Sequence, residues 1–134
     1  LYTTRRRNKY GAKKTEYNNR KFDSKHEAAV AHDLEMEKRA GLIADYDCQY
    51  KVYMHAYSKC GTYKLEKTHK IDFRIHNLDG SYTLLEAKGA ETADYKDRRR
   101  WLETFWLPLN LDHDYQVIYC KSNRKLASSW AKKR

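Results

Sequence analysis

The sequence predicts a single α/β (α+β) domain whose elements run in the order α-β-β-β-α-β-α. Three observations carry this prediction. An amphipathic stretch opens on a capping pattern and closes on a glycine; three stretches rich in Tyr, Val, Ile and Phe then follow with period-two alternation; and a helical stretch separates these from one further strand. There is no internal repeat and no linker within this run.

Taken in order, residues 1–21 read as a basic flexible arm and residues 22–134 as the domain. The stretch RRRNKYGAKKTEYNNRK has almost no aliphatic residues and no sustained period, and its Tyr10 and Tyr17 are interleaved among cations. FDSKHEAAVAHDLEMEKRAG then reads as a helix. Ser24 followed three residues later by Glu27 is a capping box, Phe22 or Asp23 sets the approach of the chain, and Gly41 is a C-terminal stop. DCQYKVYMHAY, HKIDFRIH and SYTLLEAK read as strands, the last two joined through the turn residues NLDG. TADYKDRRRWLETFW is helical, with Tyr95, Leu102, Phe105 and Trp106 as its apolar stripe and Pro108 marking its end. DYQVIYC is a further strand, and NRKLASSWAKKR closes the chain as a short basic helix or tail.

At 134 residues the chain is long enough for one compact domain with a real core. It has no apolar run approaching the ~18 residues of a membrane span and no signal-peptide pattern at its start, so a cytoplasmic protein without membrane contact is expected. Its first residue is Leu1 and not methionine. Cys48, Cys60 and Cys120 form an odd, widely spaced set without a C-x-x-C, which fits reduced thiols. Cys48, His55, Cys60 and His69 lack the paired short-loop spacing of structural zinc. The net charge of +10 is unevenly placed: residues 1–25 carry nine Lys/Arg against two acids, residues 26–95 nine against twelve, and residues 96–134 ten against four. Basic flanks around a mildly acidic centre suit a polyanion held by the flanks while central carboxylates bind a divalent cation.

Those carboxylates are found in IDFRIHNLDGSYTLLEAK. Ile71, Phe73 and Ile75 alternate with Asp72 and Arg74, which predicts that Asp72 lies on the face opposite the three apolar side chains. A two-residue Asp79-Gly80 turn would place Asp72 opposite Ala87 and turn Glu86 away. A three-residue Leu78-Asp79-Gly80 loop, with Gly80 left-handed, would pair Asn77 with Ser81 and bring Asp72 opposite Glu86. The second is preferred, because it sets Asp72, Glu86 and Lys88 on one face of neighbouring strands. Two carboxylates across a ladder repel unless a cation lies between them, and Mg²⁺ fits oxygen ligands of this kind. With Lys88 to orient water or stabilise charge on a phosphate, the set points to phosphodiester hydrolysis. Glu27 shares a helix face with Ala31 and Leu34, so its carboxylate points to the packed side, where it can serve the capping box, the site, or both.

FDSKHEAAVAHDLEMEKRAG, CQYKVY, HKIDF, LLEAKG and YQVIYCKSNRKL occur in the order and rough spacing of the D…E-x-K, restriction-endonuclease-like nuclease superfamily. Over roughly residues 20 to 126 the chain most resembles phage endonuclease I type Holliday junction resolvases and related small phage nuclease domains. The resemblance implies a mixed sheet of about four to five strands flanked by helices and Mg²⁺-dependent endonuclease activity on DNA, with Mn²⁺ as a substitute. It further implies recombination of branched DNA, often by a homodimer, in a phage or its bacterial host. Residue by residue, it makes Glu27 the helix carboxylate near the site, Asp72 and Glu86 the metal ligands, the carbonyl of Ala87 a further ligand, and Lys88 the catalytic lysine. Ile71 stands where that family usually has proline, a change in backbone shape and not in the ligands.

For DNA contact the sequence offers Arg5, Arg6, Arg7, Lys13 and Lys14 in the arm and Lys96, Arg98, Arg99 and Arg100 directly after the site. Trp101 reads as core or interface, and Trp101, Phe105, Trp106, Leu107 and Leu109 together as a candidate dimer surface. His26, His32, His69 and His113 read as surface residues, and Gln49 as a strand residue near the site. Three functions fit: an endonuclease selective for branched DNA, a sequence-dependent homing or restriction-like endonuclease of the same chemistry, and a non-catalytic nucleic-acid-binding module.

Overall fold

The computed structural model describes residues 24–119 together with the backbones of two short strands, β1 (Thr15–Tyr17) and β2 (Arg20–Phe22). These two pair antiparallel, with Thr15 opposite Phe22, and all but Phe22 lie in residues 1–21, which the sequence offered as a flexible arm. Arg5, Arg6, Arg7, Lys13 and Lys14, and the closing stretch NRKLASSWAKKR, lie outside the described residues.

Helix α1 (Lys25–Arg39) begins as the capping pattern requires, with the Glu27 N–H donating to Ser24 Oγ at 3.2 Å. It ends at Arg39 with Ala40 as its cap, and Gly41 follows with a φ of 74°, the left-handed conformation that a helix stop favours. Three long segments come after it: β3 (Asp45–Tyr57), β4 (Lys64–His76) and β5 (Tyr82–Lys88). Helix α2 (Ala93–Trp101) comes next and is prolonged by a π-helical turn (Leu102–Trp106) and a 3-10 turn (Leu107–Leu109) containing Pro108. Strand β6 (His113–Tyr119) then returns to the sheet. The four-stranded sheet has the order β3-β4-β5-β6, with β5 and β6 parallel and the other neighbours antiparallel. This is a mixed α+β fold, in which the β5-α2-β6 crossover supplies the parallel pair. Among the described residues, no helix is long and apolar enough to cross a membrane.

Of the two possible β4–β5 loops, the three-residue one forms. The Asn77 N–H donates to the Ser81 carbonyl at 2.9 Å, and Gly80 has a φ of 88°. The resulting register sets Phe73 opposite Leu85 and His76 opposite Tyr82.

Each face of the sheet buries its own core. Ala28, Val30, Ala31 and Leu34 of α1 pack with Ile43, Phe73, Ile75, Leu85, Ala87 and Ile118. On the other side Val52, Met54, Ile71 and Leu84 pack with Leu102, and Trp101, Trp106 and Leu107 close over them. Ile71 therefore does not share a core with Phe73 and Ile75, as strict alternation predicted. The neighbouring strand does the same: Tyr46 and Cys48 join the α1 side, while Tyr50, Val52 and Met54 join the α2 side. Both strands change face between Cys48↔Phe73 and Tyr50↔Ile71. The cause lies at Gln49, the single non-glycine residue with positive φ among the described residues, at 57°. A left-handed residue rotates the strand after it, so the side chains beyond it fall on the opposite face.

Candidate active site

The sheet forks at its centre. Strands β4 and β5 pair only from Phe73↔Leu85 to His76↔Tyr82; beyond that point β4 stays with β3, and β5 stays with β6 as far as Lys88↔Tyr119. Asp72 and Glu86 are the first residues past the split, one on each arm. Were the ladder one step longer, Ile71 and Ala87 would be its next hydrogen-bonded pair. Instead, Asp72 Oδ2 takes the Ala87 N–H at 2.8 Å, so a carboxylate closes the fork where a backbone carbonyl would have continued it.

Both carboxylates are buried, Asp72 at 6% exposure and Glu86 at 0%. Burial pushes the Asp72 carboxyl far up, to about 9, and the charges of Glu86 and Glu27 push in the same direction; the Ala87 N–H and Lys88 oppose them only in part. Glu86 Oε2 has no hydrogen-bond partner and lies 3.4 Å from Lys88 Nζ. Lys88 is half-buried, and its ammonium sits 4.3 Å from the centre of the Tyr95 ring.

Glu27 reaches the same region from the first turn of α1. It is buried, as its helical position predicted, and Gln49 Nε2 donates to its Oε2 at 3.5 Å. Gln49 is thus a member of the constellation and supplies both a side chain and the left-handed kink. The sequence placed Gln49 nearby but held no signal of its backbone, because glutamine has no preference for positive φ.

His69, read as a surface residue, is buried at 3% exposure, with Nε2 2.7 Å from Glu86 Oε1. The signal was present in the spacing: His69 precedes the core residue Ile71 by two, so it points inward on the same strand. His26 is half-buried against the Ile118 carbonyl at 3.2 Å, and His113 stacks on Tyr82 at 4.6 Å; neither is the free surface group expected.

The basic stretch of α2 divides. Arg98 pairs with Asp94 at 3.0 Å, and Arg99 lies between Glu91 at 3.6 Å and Glu103 at 3.2 Å, whereas Lys96 and Arg100 are set apart from these pairs, Arg100 being exposed. The aromatic surplus divides too. Trp101, Trp106 and Leu107 pack onto the core, and Phe105, expected on the buried stripe, is 48% exposed because the π-helical turn shifts it outward.

Among the described residues, no three His, Cys, Asp or Glu side chains are gathered closely enough to hold a metal by side chains alone. The donor set at the fork is two carboxylates. Glu86 keeps a buried oxygen without a hydrogen bond, and Asp72 is strongly raised although the Lys88 ammonium stands 3.4 Å from that Glu86 oxygen, so one cation only partly offsets two buried carboxylates; oxygen donors of this kind suit a hard divalent cation that keeps several of its waters.

In comparisons with known proteins, residues 7–122 match the model of the DUF1064 family, whose description is "Protein of unknown function". No curated protein and no solved structure matches the chain.

Proposed function

We propose that this chain, which belongs to the DUF1064 family, is a Mg²⁺-dependent endodeoxyribonuclease that hydrolyses phosphodiester bonds, selective for branched DNA of the Holliday junction kind. The observation that carries this reading is the fork, where Asp72, Glu86 and Lys88 converge with a buried Glu86 oxygen left without a hydrogen bond.

In this reading Asp72 and Glu86 hold the cation, with the carbonyl of Ala87 as a further ligand and Mn²⁺ as a substitute. When bound, the cation supplies charge neutralisation at a phosphoryl oxygen and a lower pKa for a coordinated water. Lys88, tethered near Glu86 and backed by Tyr95, stabilises the charge that develops on the phosphate. Glu27, held by Gln49 and close enough to Asp72 to raise it, presents a buried carboxylate that can accept a proton from the attacking water. The new P–O bond forms from water as the bond to one sugar oxygen breaks, leaving a phosphate monoester and a hydroxyl. Lys96 and Arg100 are the α2 cations best placed to contact phosphates, since ion pairs occupy Arg98 and Arg99.

The test is incubation with matched four-way, flap and linear duplex DNAs in Mg²⁺ or Ca²⁺. Cleavage of the branched forms in Mg²⁺ alone is expected. Cutting of linear duplex at defined sequences would instead give a homing or restriction-like nuclease, and binding without any cleavage a non-catalytic module.

A further inference from the structure

Glu86 has two oxygens in different situations. Oε1 lies 2.7 Å from His69 Nε2, while Oε2 has no hydrogen bond and looks toward Lys88 at 3.4 Å. A terminal carboxylate torsion is broad and roughly twofold, so nothing within the side chain selects which oxygen faces the fork. The bond from His69 does select it. His69 is itself fixed: the ring is 3% exposed and stands edge-on to Tyr95 at 5.9 Å and to Tyr115 at 6.5 Å, and those two phenols are hydrogen-bonded to each other at 2.5 Å. His69 Nδ1 has no partner, and Nε2 is the ring nitrogen that faces Glu86, whose ionised carboxylate accepts and cannot donate.

The placement in the fold is as informative as the bond. His69 lies on β4 three residues before Asp72, and Glu86 lies on β5. The His69–Glu86 bond therefore ties the two arms of the fork together beyond the point where their backbone ladder stops. One strand delivers one carboxylate and also the group that orients the other.

We propose that His69 is a positioning residue, donating from Nε2–H to Glu86 Oε1 so that Oε2 is held toward a divalent cation between Asp72 and Glu86. This rests on the metal-site reading above. Hydrogen-bond partners of metal-ligating carboxylates commonly set metal affinity, and their removal costs about 10- to 100-fold.

The experiment is calorimetric titration of the full chain with Mn²⁺, without DNA, for wild type, His69→Phe, His69→Gln and the control Glu86→Gln. His69→Phe keeps a ring but removes the donor, and is expected to weaken Mn²⁺ binding by about 10- to 100-fold. His69→Gln places an amide N–H near the position of Nε2 and should restore affinity to within roughly threefold, because the orienting hydrogen bond is what an outer partner contributes. If His69→Phe does not fold, His69→Asn, whose shorter amide cannot reach Glu86, takes its place with the same expectation. Wild-type affinity in either donor-less variant would overturn the proposal, as would equal decreases in folded His69→Phe and His69→Gln, which would reduce His69 to packing. Mn²⁺ binding that is absent, or unchanged in Glu86→Gln, would remove the metal site itself and the role of His69 with it. Binding that depends on Glu86 but is indifferent to His69 would overturn only the present inference.

Discussion

Asp72 occupies a position where an apolar residue would serve the sheet better, and its ionisation should be visible in stability. Its carboxyl is raised to about 9, by burial first and then by Glu86 and Glu27. In the unfolded chain it ionises near pH 4. A raised folded value means that its stabilising share is fully present below about pH 4 and is lost as the pH climbs through about 9. In EDTA, the melting temperature of Asp72→Asn minus that of wild type should therefore grow between pH 5 and pH 8, because the asparagine cannot ionise. A difference that does not change with pH would remove Asp72 as the raised group. Asp72→Asn and Glu86→Gln are each expected to abolish cleavage in Mg²⁺ and to leave DNA binding nearly intact, since they remove cation ligands and not phosphate contacts; wild-type cleavage by either would end the metal-site proposal. Gln49 offers a second test at this scale. Both Gln49→Gly and Gln49→Ala delete the side chain that reaches Glu27, so both should cut more slowly. Only glycine accepts a φ of 57° without strain, and the glycine variant should be more stable than the alanine variant by about 1–2 kcal/mol in urea unfolding.

Helix α2 contains nine residues and fully buries only Tyr95 among them, so its anchorage is concentrated where Trp101 packs on the core and in the π-helical turn that follows. Leu102, fully buried at the start of that turn, is the main anchor, and Leu102→Ala should cost about 2–5 kcal/mol in unfolding free energy. Because Tyr95 backs Lys88, the same substitution should also lower activity under conditions where the protein remains folded; an unchanged cleavage rate would show that α2 does not shape the site. The elements themselves were legible in the sequence because their signals are local: the Ser24 cap, the Gly41 stop, the alternation in β4 and β5, and the loop register that brings Asp72 and Glu86 together. The fork and the change of face at Gln49 were not legible. The fork depends on which strand each arm pairs with, and the change of face on the left-handed backbone at Gln49, neither of which alternation within one strand encodes. His69 lies between these cases, since its inward direction follows from Ile71 but its partner on β5 follows only from the fold.

At the scale of the whole molecule, the charge layout and the site belong together. On the proposed function, a buried acidic fork would repel DNA unless cations flanked it, and the basic flanks of the sequence would answer that need. Removal of residues 1–14 should weaken DNA binding while the core still folds, and the log–log salt slope should fall by about 0.9 for each duplex phosphate that the shortened chain no longer neutralises. An unchanged slope would show that the arm does not touch DNA. Resolving a junction requires two strands to be cut. A single chain carries one Asp72, Glu86 and Lys88 set, so paired cuts call for two copies related by a twofold axis. Trp101, Trp106 and Leu107 are engaged with the core, which leaves Phe105 at 48% and Leu109 at 83% exposure as the apolar remainder of the surface first read as a dimer face. Sedimentation at micromolar concentration is expected to show a dimer, and Leu109→Asp should shift it toward monomer. Mixing wild type with Glu86→Gln tests the coupling, because mixed dimers should nick four-way junctions without resolving them. A monomer that made both cuts at matched positions would overturn the dimer and leave the chemistry at the fork as it stands.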